Sequence, residues 1–123
     1  MLANARAYNG FAVDDLERAR EFYEDTLGLR TTPADEHLMT LHLPGERDTL
    51  VYVSPSFAPA PYTILNFEVD DIEGTVDQLT AKGVQLERYE GMEQDERGIS
   101  RAGPDIAWFK DPAGNILSVI QGS

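Results

Sequence analysis

The chain states one seven-residue phrase twice, and that repetition restricts its possible folds more than any other feature. Residues 11–17 read Phe-Ala-Val-Asp-Asp-Leu-Glu, and residues 67–73 read Phe-Glu-Val-Asp-Asp-Ile-Glu, 56 positions later. In each copy an alternating apolar stretch meets an acidic pair and then a helical period. The Asp14-x-x-Glu17 and Asp70-x-x-Glu73 spacings read as acidic capping boxes, whose side chains satisfy free backbone donors at a helix start. A strand–cap–helix unit stated twice in 123 residues predicts two equivalent modules.

The residues after each copy extend the correspondence. Residues 6–13 alternate, with Asn9, Phe11 and Val13 on one face and Tyr8, Gly10 and Ala12 on the other. From Leu16 the period becomes helical: Leu16, Ala19, Tyr23 and Leu27 share a face, and Gly28 stands where a helix would end. Strands are expected over 29–32, 38–43 and 49–53. In the second half the expected order is a strand over 62–69, a helix with Ile72, Val76 and Leu79 inward and Gly83 at its end, and strands over 84–89, 106–110 and 116–121. Asp111-Pro-Ala-Gly-Asn115 reads as a tight turn.

The predicted fold class is therefore α+β, a single domain of two β-α-β-β-β modules. Residues 1–54 form the first module, residues 55–61 a proline-rich linker, and residues 62–123 the second module. The acidic insert 90–103 reads as the mobile loop.

Composition narrows the function. Net charge is -12, from 22 acidic and 10 basic residues, which argues against nucleic acid and anionic membranes as partners. The chain has no cysteine, so disulfides, thiolate metal sites and cysteine nucleophiles are excluded. No apolar run approaches the roughly 18–20 residues that span a bilayer. The first residues lack the apolar centre of a signal peptide, so a cytoplasmic location is expected.

Two segments carry a family likeness: Phe11-Ala-Val-Asp-Asp-Leu-Glu-Arg-Ala-Arg-Glu-Phe-Tyr-Glu-Asp-Thr-Leu-Gly-Leu29 and Trp108-Phe-Lys-Asp-Pro-Ala-Gly-Asn-Ile116. With the internal repeat, they resemble the vicinal oxygen chelate superfamily of glyoxalases, extradiol dioxygenases, and fosfomycin- and bleomycin-resistance proteins. The resemblance implies two modules whose sheets curl into a cup-shaped half barrel around a ligand. It also implies four inward metal-ligand positions, which fall here on Tyr8, Ile64, Ser118 and near Val51. None of these is a usual donor to a divalent metal. No metal and no other cofactor are expected.

The two histidines are His37, read as exposed, and His42, which shares a face with Thr40. Strand alternation offers Tyr8, His42, Val51, Asn66, Glu68, Phe109 and Ser118 as ligand-binding residues in a mostly apolar cavity, or as the filling of a closed core. Trp108 is placed on the helix-packed face, and a shifted register would make it an aromatic wall instead. Glu68, if buried, would serve as a base or as the counter-charge of a cationic ligand, and it could pair with His42. No catalytic residue is assigned.

Two functions stay open. One is a metal-free small-molecule-binding protein of the glyoxalase/bleomycin-resistance type that sequesters an antibiotic or aromatic metabolite. The other is a lyase, isomerase or glyoxalase-like enzyme of the same fold that uses general acid–base chemistry. A homodimer is expected, by module pairing within or between chains.

Overall fold

Both copies of the repeated phrase carry a strand directly into a helix. In the computed structural model, which describes residues 1–123, β1 (Asn9–Val13) runs into α1 (Leu16–Glu21), just as Thr63–Val69 runs into Ile72–Ala81. The cap, however, is the second aspartate of each pair. Asp15 accepts the N–H of Arg18, and Asp71 accepts the N–H of Gly74, both at 3.1 Å. Asp15 and Asp71 hold the extended backbone of a capping residue, at φ -146° and -140°. The caps expected at Asp14 and Asp70 are thus displaced by one residue.

The chain divides into two compact units, Met1–Ala58 and Pro59–Ser123, which part within the proline-rich stretch. In the first unit α1 widens after Glu21 into a π-helical turn (Phe22–Thr26). Gly28, at φ +75°, ends it and donates to the Glu24 carbonyl at 3.0 Å. Three strands follow: β2 (Arg30–Pro33), β3 (Leu38–Leu43) and β4 (Arg47–Val53). The sheet order is β1-β4-β3-β2, with β1 parallel to β4 and the other pairs antiparallel.

In the second unit β5 (Thr63–Val69) and α2 (Ile72–Ala81) are followed by β6 (Ile106–Lys110) and β7 (Ile116–Gln121). The order is β5-β7-β6, with β5 parallel to β7. The two small mixed sheets and few helices make the fold α+β, and neither sheet closes into a barrel.

Residues 84–89 were expected as a further strand, and they are not one. Glu87 gives its N–H to the Trp108 carbonyl at 2.8 Å, but no ladder develops. The Gln94 side chain serves the neighbouring backbone instead. It accepts from the Tyr89 N–H at 2.9 Å and donates to the carbonyls of Glu87 and Gly98 at 3.0 and 2.8 Å. A backbone whose polar groups are satisfied by an amide has no need of a partner strand.

Several residues of loop 90–103 are packed or ion-paired within their unit. Ile99 and Ser100 are buried. Arg97 binds Asp77 of α2 at 2.9 Å, and Arg101 reaches Glu73, Asp95 and Asp105.

Strand register then sorts every side chain onto one of two faces. In the first sheet Phe11, Val51 and Met39 are in register, as are Thr49 and Leu41. All five are buried, and Phe11 meets the buried Tyr23 of the helical segment with ring centroids 5.9 Å apart. This is the helix-covered face. The other face carries Gly10, Ala12, Leu38, Thr40, His42, Asp48, Leu50 and Tyr52, because side chains alternate along a strand.

In the second sheet Phe109 faces Leu117, and Ala107 faces Val119, all four buried. They share their side with Gln121, whose amide oxygen accepts the Ile72 N–H at the start of α2 at 2.9 Å. Ile72, Val76 and Leu79 of α2 are buried with them. The helix-free face holds Asn66, Glu68, Ile106, Trp108, Ile116, Ser118 and Ile120.

Candidate functional site

Counting outward from the turn at 111–115 builds the site. Lys110 stands opposite Ile116, so Trp108 stands opposite Ser118 and Phe109 opposite Leu117. Asn66 pairs with Ser118 from the other side. Asn66, Ser118 and Trp108 therefore form one row across β5, β7 and β6. Ser118 is fully buried and donates its hydroxyl to Asn66 Oδ1. That bond leaves the Asn66 amide nitrogen free to donate outward. Trp108 is half-buried, and Tyr89 meets its ring edge-on, with centroids 5.5 Å apart.

Ile106, Ile116 and Ile120 surround this row, and Glu68 stands two residues along β5 with its side chain exposed. The surface thus combines an aromatic plane, aliphatic walls, an amide donor and a carboxylate. It can hold a flat or cationic molecule by stacking, burial and one or two polar contacts.

Four expected ligand residues, Tyr8, His42, Val51 and Phe109, fall outside this surface. Phe109 is fully buried under α2, on the opposite side of β6 from Ser118, so the expected roles of Phe109 and Trp108 are exchanged. Val51 is likewise fully buried, on the helix-covered face with Phe11, and does not share a face with His42. Asn66, Glu68 and Ser118 share this face, and Glu68, in register with Ile120, is exposed and not buried. Tyr8 precedes β1, is 56% exposed, and carries the Arg6 guanidinium 5.3 Å above its ring. Ile64 falls at a bulge in β5, where the register with β7 shifts.

His42 belongs to the first unit, and its carboxylate partner is Asp48, not Glu68. The two residues face each other directly across β3 and β4, with Nδ1 3.0 Å from Asp48 Oδ1. On the other side of the ring, Nε2 lies 2.7 Å from the Thr32 hydroxyl. Arg6 binds the second oxygen of Asp48 at 2.9 Å. Neither Thr32 nor Asp48 was singled out from sequence, although counting back from the 44–46 turn places Asp48 opposite His42.

Each unit also has a shallow hollow, about 350 Å³ beside Arg6, Tyr8 and Asp48, and about 300 Å³ beside Gln94, Asp95 and Arg101. Their principal charges already pair with each other.

No group of three or more His, Cys, Asp or Glu side chains stands together as metal donors.

The hydrogen bond to His42 holds Asp48 below the ordinary carboxylate range; burial opposes this and Arg6 adds to it. The Thr31 hydroxyl and then Arg20 lower Glu24, and Arg97 lowers Asp77. At Asp95 burial pushes upward, but the N–H groups of Ile99 and Arg97, with Arg101, outweigh it. A carboxyl whose folded pKa lies below its unfolded value, about 4, stabilises the fold above that value. Its contribution disappears as pH falls through the folded pKa. The melting temperature is therefore expected to drop as pH is lowered from about 4, followed by calorimetry. A melting temperature unchanged over that range would contradict these pairings.

The sequence profile described as "Glyoxalase/Bleomycin resistance protein/Dioxygenase superfamily" matches residues 7–119. No curated protein matches the chain. Among solved structures, an antibiotic binding protein from Streptomyces sp. CB03234 is 21% identical, with a TM-score of 0.72 and 98% of both chains covered. A lactoylglutathione lyase from Agrobacterium tumefaciens is 20% identical, with a TM-score of 0.67 over 98% of this chain and 96% of that one. A fosfomycin resistance protein from Mesorhizobium loti is 15% identical, with a TM-score of 0.67 over 98% of this chain and 93% of that one. At such identities the likeness concerns the fold, and one fold serves both binding and catalysis.

Proposed function

Because the chain belongs to the glyoxalase/bleomycin resistance protein/dioxygenase superfamily, we propose that it is a metal-free binding protein for a small aromatic or cationic molecule. The ligand lies on the helix-free face of the second unit. The row Asn66–Ser118–Trp108 carries this reading: an indole plane stands beside an amide whose oxygen is occupied and whose nitrogen is free to donate. Exposed Glu68 and a net charge of -12 favour a positively charged ligand. Sequestration of an antibiotic or aromatic metabolite is the role proposed for this surface, and the antibiotic binding protein of the same fold lends support.

Trp108 is the single tryptophan of the chain, so its fluorescence reports directly on this face. Titration with bleomycin, a cationic glycopeptide, and with a panel of aromatic amines is expected to quench it saturably for at least one compound. By calorimetry, Trp108→Leu should weaken that binding roughly ten-fold or more. A fluorescence signal unchanged by the whole panel would overturn the reading.

The same proposal places the protein in the cytoplasm as a homodimer. The exposed tyrosines Tyr8, Tyr52 and Tyr62 are candidates for the contact. Light scattering is expected to give twice the chain mass, and the mass of one chain would remove the dimer from the proposal. No helix of the chain is long and apolar enough to cross a membrane.

A further inference from the structure

Three strands of the first sheet bring a hydroxyl, an imidazole and a carboxylate into hydrogen-bond contact on one face. Thr32 lies on β2, His42 on β3 and Asp48 on β4. His42 pairs with Asp48 on one side and with Arg30 on the other, and Thr32 stands two residues beyond Arg30, on the same face. The turn that fixes the His42–Asp48 pairing contains Glu46, at φ +59° the only non-glycine residue with a positive φ. Such a backbone persists only where its surroundings enforce it.

These hydrogen bonds have a direction. An ionised Asp48 can only accept, so a neutral His42 carries its proton on Nδ1 and presents Nε2 as an acceptor. The Thr32 hydroxyl, 2.7 Å away, therefore donates to Nε2. A hydroxyl that donates to an imidazole held by a carboxylate has the connectivity of an activated nucleophile.

We propose that Thr32, His42 and Asp48 form an acyl-accepting site for small activated esters or thioesters. Thr32 Oγ1 attacks the acyl carbonyl. The Oγ1–carbon bond forms, the bond to the leaving group breaks, and the hydroxyl proton passes to His42 Nε2. A thiolate or alkoxide leaving group takes that proton from His42, whereas p-nitrophenolate departs without one and the proton goes to water. Thr32 and His42 are the catalytic residues, and Asp48 is a positioning residue that fixes the imidazole tautomer. Arg30 has no ion pair in the structure and shares the face, so it is the cation best placed for the negative charge that develops on the carbonyl oxygen. This site is independent of the Trp108 surface.

The intact protein is incubated with p-nitrophenyl acetate and its acetylated peptides are mapped over time. The amines of Lys82 and Lys110 acetylate without assistance and act as an internal control. Thr32 is expected to gain one acetyl group ahead of Thr80, the other exposed threonine. In His42→Gln the Thr32 rate should fall about 100-fold, with lysine labelling unchanged. Asp48→Asn should slow Thr32 labelling, and Asp48→Glu should restore part of the rate. No Thr32 label in the wild type, or equal Thr32 rates in wild type and His42→Gln, would overturn the proposal. Neither outcome bears on ligand binding at Trp108.

Discussion

Phe109→Ala is expected to destabilise the second unit by about 3–5 kcal/mol, as truncation of a fully buried aromatic side chain does. Phe109 has no exposed surface and stands opposite Leu117, on the side of the sheet that α2 covers with Ile72, Val76 and Leu79. Removing the ring leaves a cavity that the surrounding side chains fill only in part. Since a domain is typically stable by about 5–15 kcal/mol, a large share of the total would go. Urea denaturation measures the loss. Affinity per folded molecule should hardly change, because Phe109 does not reach the helix-free face. A variant with full stability but no ligand binding would show that Phe109 lines the site after all.

Asp111→Ala should cost a comparable amount, about 2–5 kcal/mol, through unsatisfied hydrogen bonds and not through lost packing. Asp111 and Asn115 are both buried in the turn between β6 and β7. One carboxylate oxygen accepts the N–H groups of Ala113 and Asn115 at 3.0 and 2.9 Å, and the other accepts the Asn115 side-chain amide at 3.1 Å. Alanine would strand these donors. The same turn sets the register that puts Trp108 opposite Ser118, so hydrogen exchange of the β6–β7 ladder should accelerate along with the loss in denaturation. Wild-type stability in Asp111→Ala would mean that the turn holds its register without the carboxylate.

The repeat made the strand-to-helix units legible, because apolar period and acidic punctuation coincide at residues 11–17 and 67–73. Both helices start where the phrase requires, although each cap falls on the second aspartate. The outer strand of the second unit was not legible. Residues 84–89 have strand-like composition, but the side chain that replaces their ladder is Gln94, beyond the segment itself. The candidate site was half legible. Alternation put Asn66, Glu68 and Ser118 on one face, because they lie on strands that meet side by side.

Phe109 and Val51 were misplaced for one reason. Each strand was given a face separately, whereas an antiparallel hairpin fixes the faces of both strands together. Counting from the 111–115 turn gives Trp108 to Ser118, and counting from the 44–46 turn gives Val51 to Met39 and Asp48 to His42. Thr32 had no local signal, since its partner lies ten residues away across a strand pair.

Binding on the helix-free face of the second unit is tested most directly by amide and side-chain NMR during titration with the compound that quenches Trp108. Saturable shifts are expected at the Trp108 indole N–H, the Asn66 side-chain amide and the Ser118 backbone N–H, with Phe109 and α2 little changed. Shifts centred on α2, on the first unit alone, or nowhere would contradict it.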